Sequence, residues 1–480
     1  MFMSARNEIP RPPRSRAGAV RRLIALAGFC ALSIAPAWPQ ASPELQQIME
    51  RLDRLEKQNR ALTTEVHELR EQLAARGGPP AEHAEQSAAA GALAPSAPTI
   101  EERLEVQETR TAEQAETKVD TAHRMPLRIT GMALFNSYYN TNGGGGEYPT
   151  TAVAGGPPSA GATFRQSIIG LDYSGPQTFG GGKISGSLRL DLFGAGTGPD
   201  NLVRLRTASL AVDWATRSFL VGVEKPLISP REPESLAQVG ISPLSGTGNL
   251  WYWMPQARFT QEFRIGARSG LRAQASVVQT HEIEGIPASS YKNAPLTSTY
   301  SEPARPGFEA RLEFFDGTDK RIEIAPAMHR SVSHVQGSSV PSDVYSVDWL
   351  ARPSRLLEFT GEAFTGQNVA PLGAGGLSQG FVVARYGPAR PVHSRGGWGQ
   401  LTIHATSRLW FNIFSGQQDD RNSDVPAGGI GKNLAYGSNV FVRLAPNVLT
   451  SFEASQIRTS YIGAQTLQSN HYDLAFAYLF

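Results

Sequence analysis

From residue 126 to the end, apolar side chains recur at every second position, and this alternation constrains the fold more than any other feature. Lys183 to Phe193 reads KISGSLRLDLF: Ile184, Leu188, Leu190 and Leu192 share one face, while Lys183, Ser185, Ser187, Arg189 and Asp191 share the other. Successive strand residues point to opposite sides of a sheet, so one face suits lipid or a core and the other wants water. The split recurs where Phe308, Ala310, Leu312 and Phe314 alternate with Glu309, Arg311 and Glu313, and where Ala257, Phe259, Phe263 and Ile265 alternate with Arg258, Thr260, Glu262 and Arg264.

Strand segments are expected at 127–139, 162–173, 183–193, 202–213, 218–225, 256–266, 271–281, 307–315, 320–330, 344–351, 356–366, 395–405, 408–417, 434–445, 448–459 and 470–480. That makes about 16 strands, an even number. Connections after even-numbered strands are mostly short (214–217, 267–270, 352–355), whereas most after odd-numbered strands are long (140–161, 226–255, 282–306, 367–394, 418–433). Short turns at one rim and long loops at the other describe an outer-membrane barrel. A soluble sandwich could share the alternation but has no reason to sort its loops. In the last segment Phe480, Tyr478, Phe476, Leu474 and Tyr472 form one apolar and aromatic row, leaving His471, Asp473 and Ala475 facing inward. The expected fold is an all-β transmembrane barrel preceded by an α-helical coiled coil.

Residues 1–41 read as a secretory signal peptide: Arg11, Arg14, Arg16, Arg21 and Arg22 precede the apolar run Leu23 to Ala35, which Pro36 ends. The run is too short for a bilayer-spanning helix, which needs about 20 residues. Cys30, the single cysteine, lies within it; Phe29 before it is too bulky for the usual lipoprotein signal. Residues 42–76 carry a heptad seam of Leu45, Ile48, Leu52, Leu55, Asn59, Leu62, Val66, Leu69 and Leu73, with spacings alternating three and four. Such a narrow stripe calls for copies of itself or for docking on the rest of the chain, and Asn59 leans toward two strands. Gly77, Gly78, Pro79 and Pro80 end the helix, and 77–125 is a flexible to partly helical linker before a barrel over 126–480.

About 16 strands enclose a water-filled channel, whereas eight would be filled by side chains. Charged residues opposite the aliphatics avoid the roughly 2–4 kcal/mol that Arg or Lys costs facing lipid at midplane. Pore-lining candidates are therefore Arg165, Lys183, Arg189, Asp191, Glu262, Arg264, Arg272, Arg311 and Arg321, with Glu309, Glu313 and Glu323 among them. Arg204 and Arg206 share parity with Leu210 and Val212, which a regular strand forbids unless a bulge intervenes or they lie at the rim. The segment 226–255 has too many apolar groups to wave freely in water; folded inward, it makes Arg231, Glu232 and Glu234 the constriction candidates. Trp251, Tyr252 and Trp253 are then its packing anchors or, the preferred reading, part of an interfacial aromatic belt.

Catalysis finds no support. The nine histidines are scattered without metal-ligand spacing, adjacent His393 and Ser394 fall in an expected loop, and GAGTG at 194–198 lacks the Lys and helix of a phosphate loop. A net charge of +2 gives no nucleic-acid footprint. No enzyme activity, cofactor or metal is expected.

The coil, the linker ending QAETKVDTAHRMPLRITGMALFNSYYN, and then VRLRTASLAVDW, VGVEKPLISP and GNLWYWMPQARF together resemble the DcaP-like outer-membrane porins, and more distantly the phosphate-selective porins. The resemblance implies a homotrimer of barrels in outer-membrane lipid, a periplasmic coiled coil, and passive diffusion of small hydrophilic solutes with a leaning to anionic dicarboxylates. No evident Arg/Lys ladder of the phosphate-selective kind is present. The competing reading is a structural anchor whose coil engages the periplasmic cell wall.

Overall fold

The computed structural model describes residues 126–142, 146–194, 201–280, 286–287, 301–303, 305–317, 321–335, 337–373, 376–383 and 388–480. The expected signal peptide, coiled coil and linker lie outside the described residues. One antiparallel sheet of eighteen strands contains two short pieces, Ser159–Thr163 and Ser301–Pro303, and sixteen wall strands. The wall strands are β1 (Leu127–Asn140), β2 (Ile168–Gln177), β3 (Lys183–Asp191), β4 (Arg204–Asp213), β5 (Arg217–Glu224), β6 (Met254–Arg264), β7 (Ser269–Val278) and β8 (Gly307–Asp316). The second half comprises β9 (Ile322–Val335), β10 (Ser338–Ala351), β11 (Leu357–Gln367), β12 (His393–His404), β13 (Leu409–Asp420), β14 (Ile430–Ala445), β15 (Val448–Tyr461) and β16 (Thr466–Leu479).

Each strand pairs with its sequence neighbour, and β1 closes the ring by pairing with both β2 and β16. Gly131 and Phe480 complete the seam through two backbone hydrogen bonds, 2.9 and 3.1 Å. Closure leaves no edge whose N–H and C=O groups would go unsatisfied in hydrocarbon. Apolar rows point outward as the alternation requires: Ile169, Leu210, Phe219, Phe259, Phe308 and Leu312 are all exposed, and so is the terminal row Tyr472, Leu474, Phe476, Tyr478 and Phe480. The inward partners His471, Asp473 and Ala475 are buried. Loops sort by rim: the turns 178–182, 214–216, 265–268, 352–356 and 405–408 lie at one end, and the strand ends that open into the β5–β6, β7–β8 and β11–β12 connections lie at the other.

Two expectations need correction. The segment 162–173 is not one strand: a turn closed by the Ser167 amide on Phe164 O, 3.0 Å, separates Ser159–Thr163 from β2. Strand bounds in the second half also extend well beyond the apolar alternation, since β9 reaches Val335 and β10 begins at Ser338, the two residues pairing with each other.

The long segment 225–253 runs inside the ring. Three apolar clusters seat it, each pairing loop residues with wall residues: Ile228 and Leu250 with Val278, Val344 and Phe364; Leu236 with Leu134, Trp410 and Phe441; Leu244 with Trp398, Phe414 and Ile457. Burial of such side chains contributes roughly 1.5–3 kcal/mol each, which explains why this stretch does not remain in solvent.

Candidate pore and constriction site

The loop enters from β5 and crosses toward β8–β11, and inward-facing polar side chains meet its backbone and short hydroxyls. Glu309 of β8 accepts from the Leu227 amide at 2.6 Å, and Glu362 of β11 accepts from Ser229 Oγ at 2.5 Å. Arg231 donates from Nε to Asp348 of β10 at 2.8 Å and also pairs with Glu323 of β9. Further on, the Glu234 amide meets Gln400 of β12 at 2.8 Å, while its carboxylate accepts from Trp410 and Asn412 of β13 at 3.0 and 3.1 Å. Ser235 donates to Glu453 of β15 at 2.6 Å, and Asn136 of β1 donates to Leu236 O at 2.7 Å.

Close approach sets one glycine. A Cβ on Gly248, whose φ is +105°, would lie 2.3 Å from Gly397 O of β12, so a side chain there has neither space nor an allowed backbone.

Under the loop lie Glu309 and Asp348, both 0% exposed, and Glu362, 1% exposed, with Glu313, Glu323, Glu453 and Asp473 also buried. Arg311, likewise buried, bridges Asp348 at 2.8 Å and Glu313 at 2.7 Å. On β3, Arg189 keeps 32% of its side chain exposed beside Asp172 of β2 at 36%, and at the start of the loop Lys225 keeps 29% beside Glu232 at 34%. Arg258 and Arg272 join them, half-buried. Arg189 pairs with Asp172 at 2.5 Å, Lys225 with Glu232 at 2.8 Å, and Arg272 with Glu262 and Glu313 at 2.6 and 2.7 Å.

Arg204 and Arg206, which the sequence left unplaced, are largely covered, with 24% and 12% of their side chains exposed. The β3–β4 register shifts between Arg189/Thr207 and Leu190/Leu205, so Arg206 is the extra residue of a β-bulge. That single insertion turns both guanidinium groups inward onto Asp191, at 2.6 and 2.9 Å, while Leu205 and Leu210 face out. Two cations share one fully buried carboxylate, and Arg206 also stacks over Trp253, 4.4 Å from the ring centroid. The broken parity was the signal that marked them.

Other sequence candidates fall elsewhere. Arg165 sits in the turn before β2, not on a wall strand, because its guanidinium is drawn to Glu147 at 2.9 Å and over the Phe193 ring. Lys183, Arg264 and Arg321 are exposed beside the short turns at the strand ends. Trp251 and Trp253 are buried packing anchors inside the ring, which corrects the aromatic-belt expectation; Trp251 donates to Ser245 Oγ at 3.0 Å and packs edge-on to Trp253. At the long-loop rim His393 Nδ1 and its backbone amide meet Asp424 at 2.7 and 3.1 Å. Burial acts against the charged Asp424 carboxyl, but the two His393 hydrogen bonds hold it below its ordinary value.

Among the described residues no group of His, Cys, Asp and Glu is placed to hold a metal ion, and no helix is long and apolar enough to cross a membrane. Among solved structures the chain is similar to the outer membrane channel DcaP of Acinetobacter baumannii, with TM-score 0.59 over 74% of this chain and 97% of that one, at 14% identity. The chain has a DcaP-like porin fold. An anion-selective porin from Comamonas acidovorans and OprB from Pseudomonas putida, in its high-pH structure, superpose less closely, each at 9% identity with TM-score 0.49. They match 74% and 75% of this chain and 99% and 96% of theirs. No family model matches the chain, and no curated protein matches it in sequence.

Proposed function

We propose that this chain is an outer-membrane porin that passes small hydrophilic solutes and prefers anions, dicarboxylates among them. One observation supports the preference: the inward loop covers Glu309, Asp348, Glu362 and Glu453 with its own backbone and hydroxyls, while Arg189, Arg204 and Arg272 keep part of their side chains exposed, each beside a carboxylate partner. Charges in a narrow aqueous passage with low-dielectric walls bias the ions entering it. Arg231, Glu232 and Glu234 act through the constriction loop, and Arg311 holds the buried carboxylates in place rather than meeting solute. The oligomer is a homotrimer, and residues 42–76 form a coiled coil in the periplasm after removal of 1–41.

Reversal potential across a planar bilayer under a potassium chloride gradient tests the reading. Anion preference is expected, and replacing both Arg204 and Arg206 with Gln should weaken it; cation selectivity of the native channel would overturn it. A structural anchor tied to the cell wall would give no steady current steps at all.

A further inference from the structure

The outward wall is not uniform. Over β2–β8 it presents apolar rows, with Asp316 on the same row at the short-turn end of β8. Over β11–β16 the mid-height positions become small, and Gly399, Ser415, Ser438 and Ala454 form the floor of a groove of about 780 Å³ flanked by Ile413, Tyr436 and Tyr472. The floor is open outward: a Cβ on Gly399 would meet nothing closer than Thr360 O at 4.0 Å.

Toward the long-loop rim the same surface turns polar and then basic. Tyr436 donates to Gln456 at 2.5 Å, and Gln456 donates to Asn470 at 2.7 Å. Arg458, exposed, donates to Gln456 at 2.7 Å and lies over the Tyr436 ring at 5.5 Å. Lys432, also exposed, stands opposite Asp419, whose carboxylate already accepts from Arg395 at 2.8 Å. The Arg395–Asp419 pair cancels, so Arg458 and Lys432 leave the upper edge of the groove positive.

From this order, apolar recess at mid-height, hydrogen-bonding belt above it, cations at the top, we infer that the groove binds an acylated, phosphate-bearing lipid of the outer leaflet. Its chains lie along Gly399, Ser438 and Ala454, and its phosphate meets Lys432 and Arg458. A lipid has this sequence of chemistry along its own length. A second copy of the chain fits less well, because the carboxylate on its β2–β8 face, Asp316, stands at the short-turn end, away from these cations. The inference rests on the membrane orientation of the proposed porin, with long loops outside.

The full chain, purified in detergent and delipidated, should be mixed with a hexa-acylated, bis-phosphorylated glucosamine-disaccharide lipid, its dephosphorylated form, and phosphatidylcholine, and retained lipid counted by native mass spectrometry. At least tenfold more of the phosphorylated lipid than of either other lipid should be retained. The double variant Lys432→Glu with Arg458→Glu removes the phosphate partners, and Gly399→Leu fills the recess; each should lose that excess while channel conductance stays native. Equal retention of the three lipids, or native retention by both variants, overturns the inference. A change of subunit number in Gly399→Leu with lipid retention intact overturns it in favour of a second copy. Loss of conductance in every sample would instead strike the porin reading itself.

Discussion

Arg231→Ala should unseat the constriction loop. The guanidinium is the loop's ionic tie to the wall, joining Asp348 at 2.8 Å and Glu323, with only 19% of the side chain exposed. Removing one partner of a buried pair typically costs about 3–5 kcal/mol, because the charge left behind is uncompensated. Asp348 keeps Arg311 at 2.8 Å, so the loss falls mainly on Glu323, and the lower end, about 3 kcal/mol, is the better figure. At 1.4 kcal/mol per factor of ten, the balance between seated and released loop shifts by roughly 100-fold. The clusters around Ile228 and Leu250 persist, so the barrel itself still forms. Single-channel recording should show flicker between two conductance levels absent from the native protein, with a reversal potential moved toward cations as Glu309, Asp348 and Glu362 meet water. Arg231→Lys keeps the charge without the fork and should fall between. A variant with native conductance, no flicker and native selectivity would refute the idea that this ion pair holds the constriction.

Gly248→Ala should hinder folding of the loop onto β12, read as loss of the compact heat-modifiable band on electrophoresis. Gly463→Ala, at φ +74° with nothing within 4 Å of its Cβ, should cost only about 1 kcal/mol. Phe480→Ala removes the ring that fills the space above Gly131 and should slow refolding into lipid vesicles without altering the conductance of barrels that do form. The lowered Asp424 carboxyl stabilises the rim loop above its ordinary value near pH 4, a contribution lost as pH falls through the still lower folded value; limited proteolysis near 421–429 should rise only in that acid range, and Asp424→Asn should be cut at every pH.

The wall was legible because its period is local. Phe308 to Phe314, Ala257 to Ile265 and the terminal aromatic row fix which side chains meet hydrocarbon without reference to anything distant, and the even count of strands follows. The irregularity at Arg206 was legible only as a contradiction: two arginines on the row of Leu210 and Val212 required either an extra residue or a place at the rim, and the β3–β4 register shows the extra residue. The charge balance of the pore was not legible. Sequence assigns Glu309, Glu313 and Arg311 to the inner face as surely as Arg189 or Arg272, yet which of them meets water depends on where a loop more than fifty residues away in sequence comes to rest. For the same reason the Trp251 and Trp253 side chains were assigned to a belt: Arg204 and Arg206 of β4 lie over the Trp253 ring, contacts from a strand that no short window around the tryptophans contains. Arg165 failed locally, because its partner Glu147 pulls it out of strand geometry into a turn.

The seam between β1 and β16 joins the first wall strand to the sixteenth. The ring therefore cannot shut until its sixteenth strand has been made. Until then every partial product exposes two raw strand margins and a greasy outer skin, so the polypeptide must travel unfolded to its lipid and acquire its shape there, in one late, non-local event rather than piece by piece.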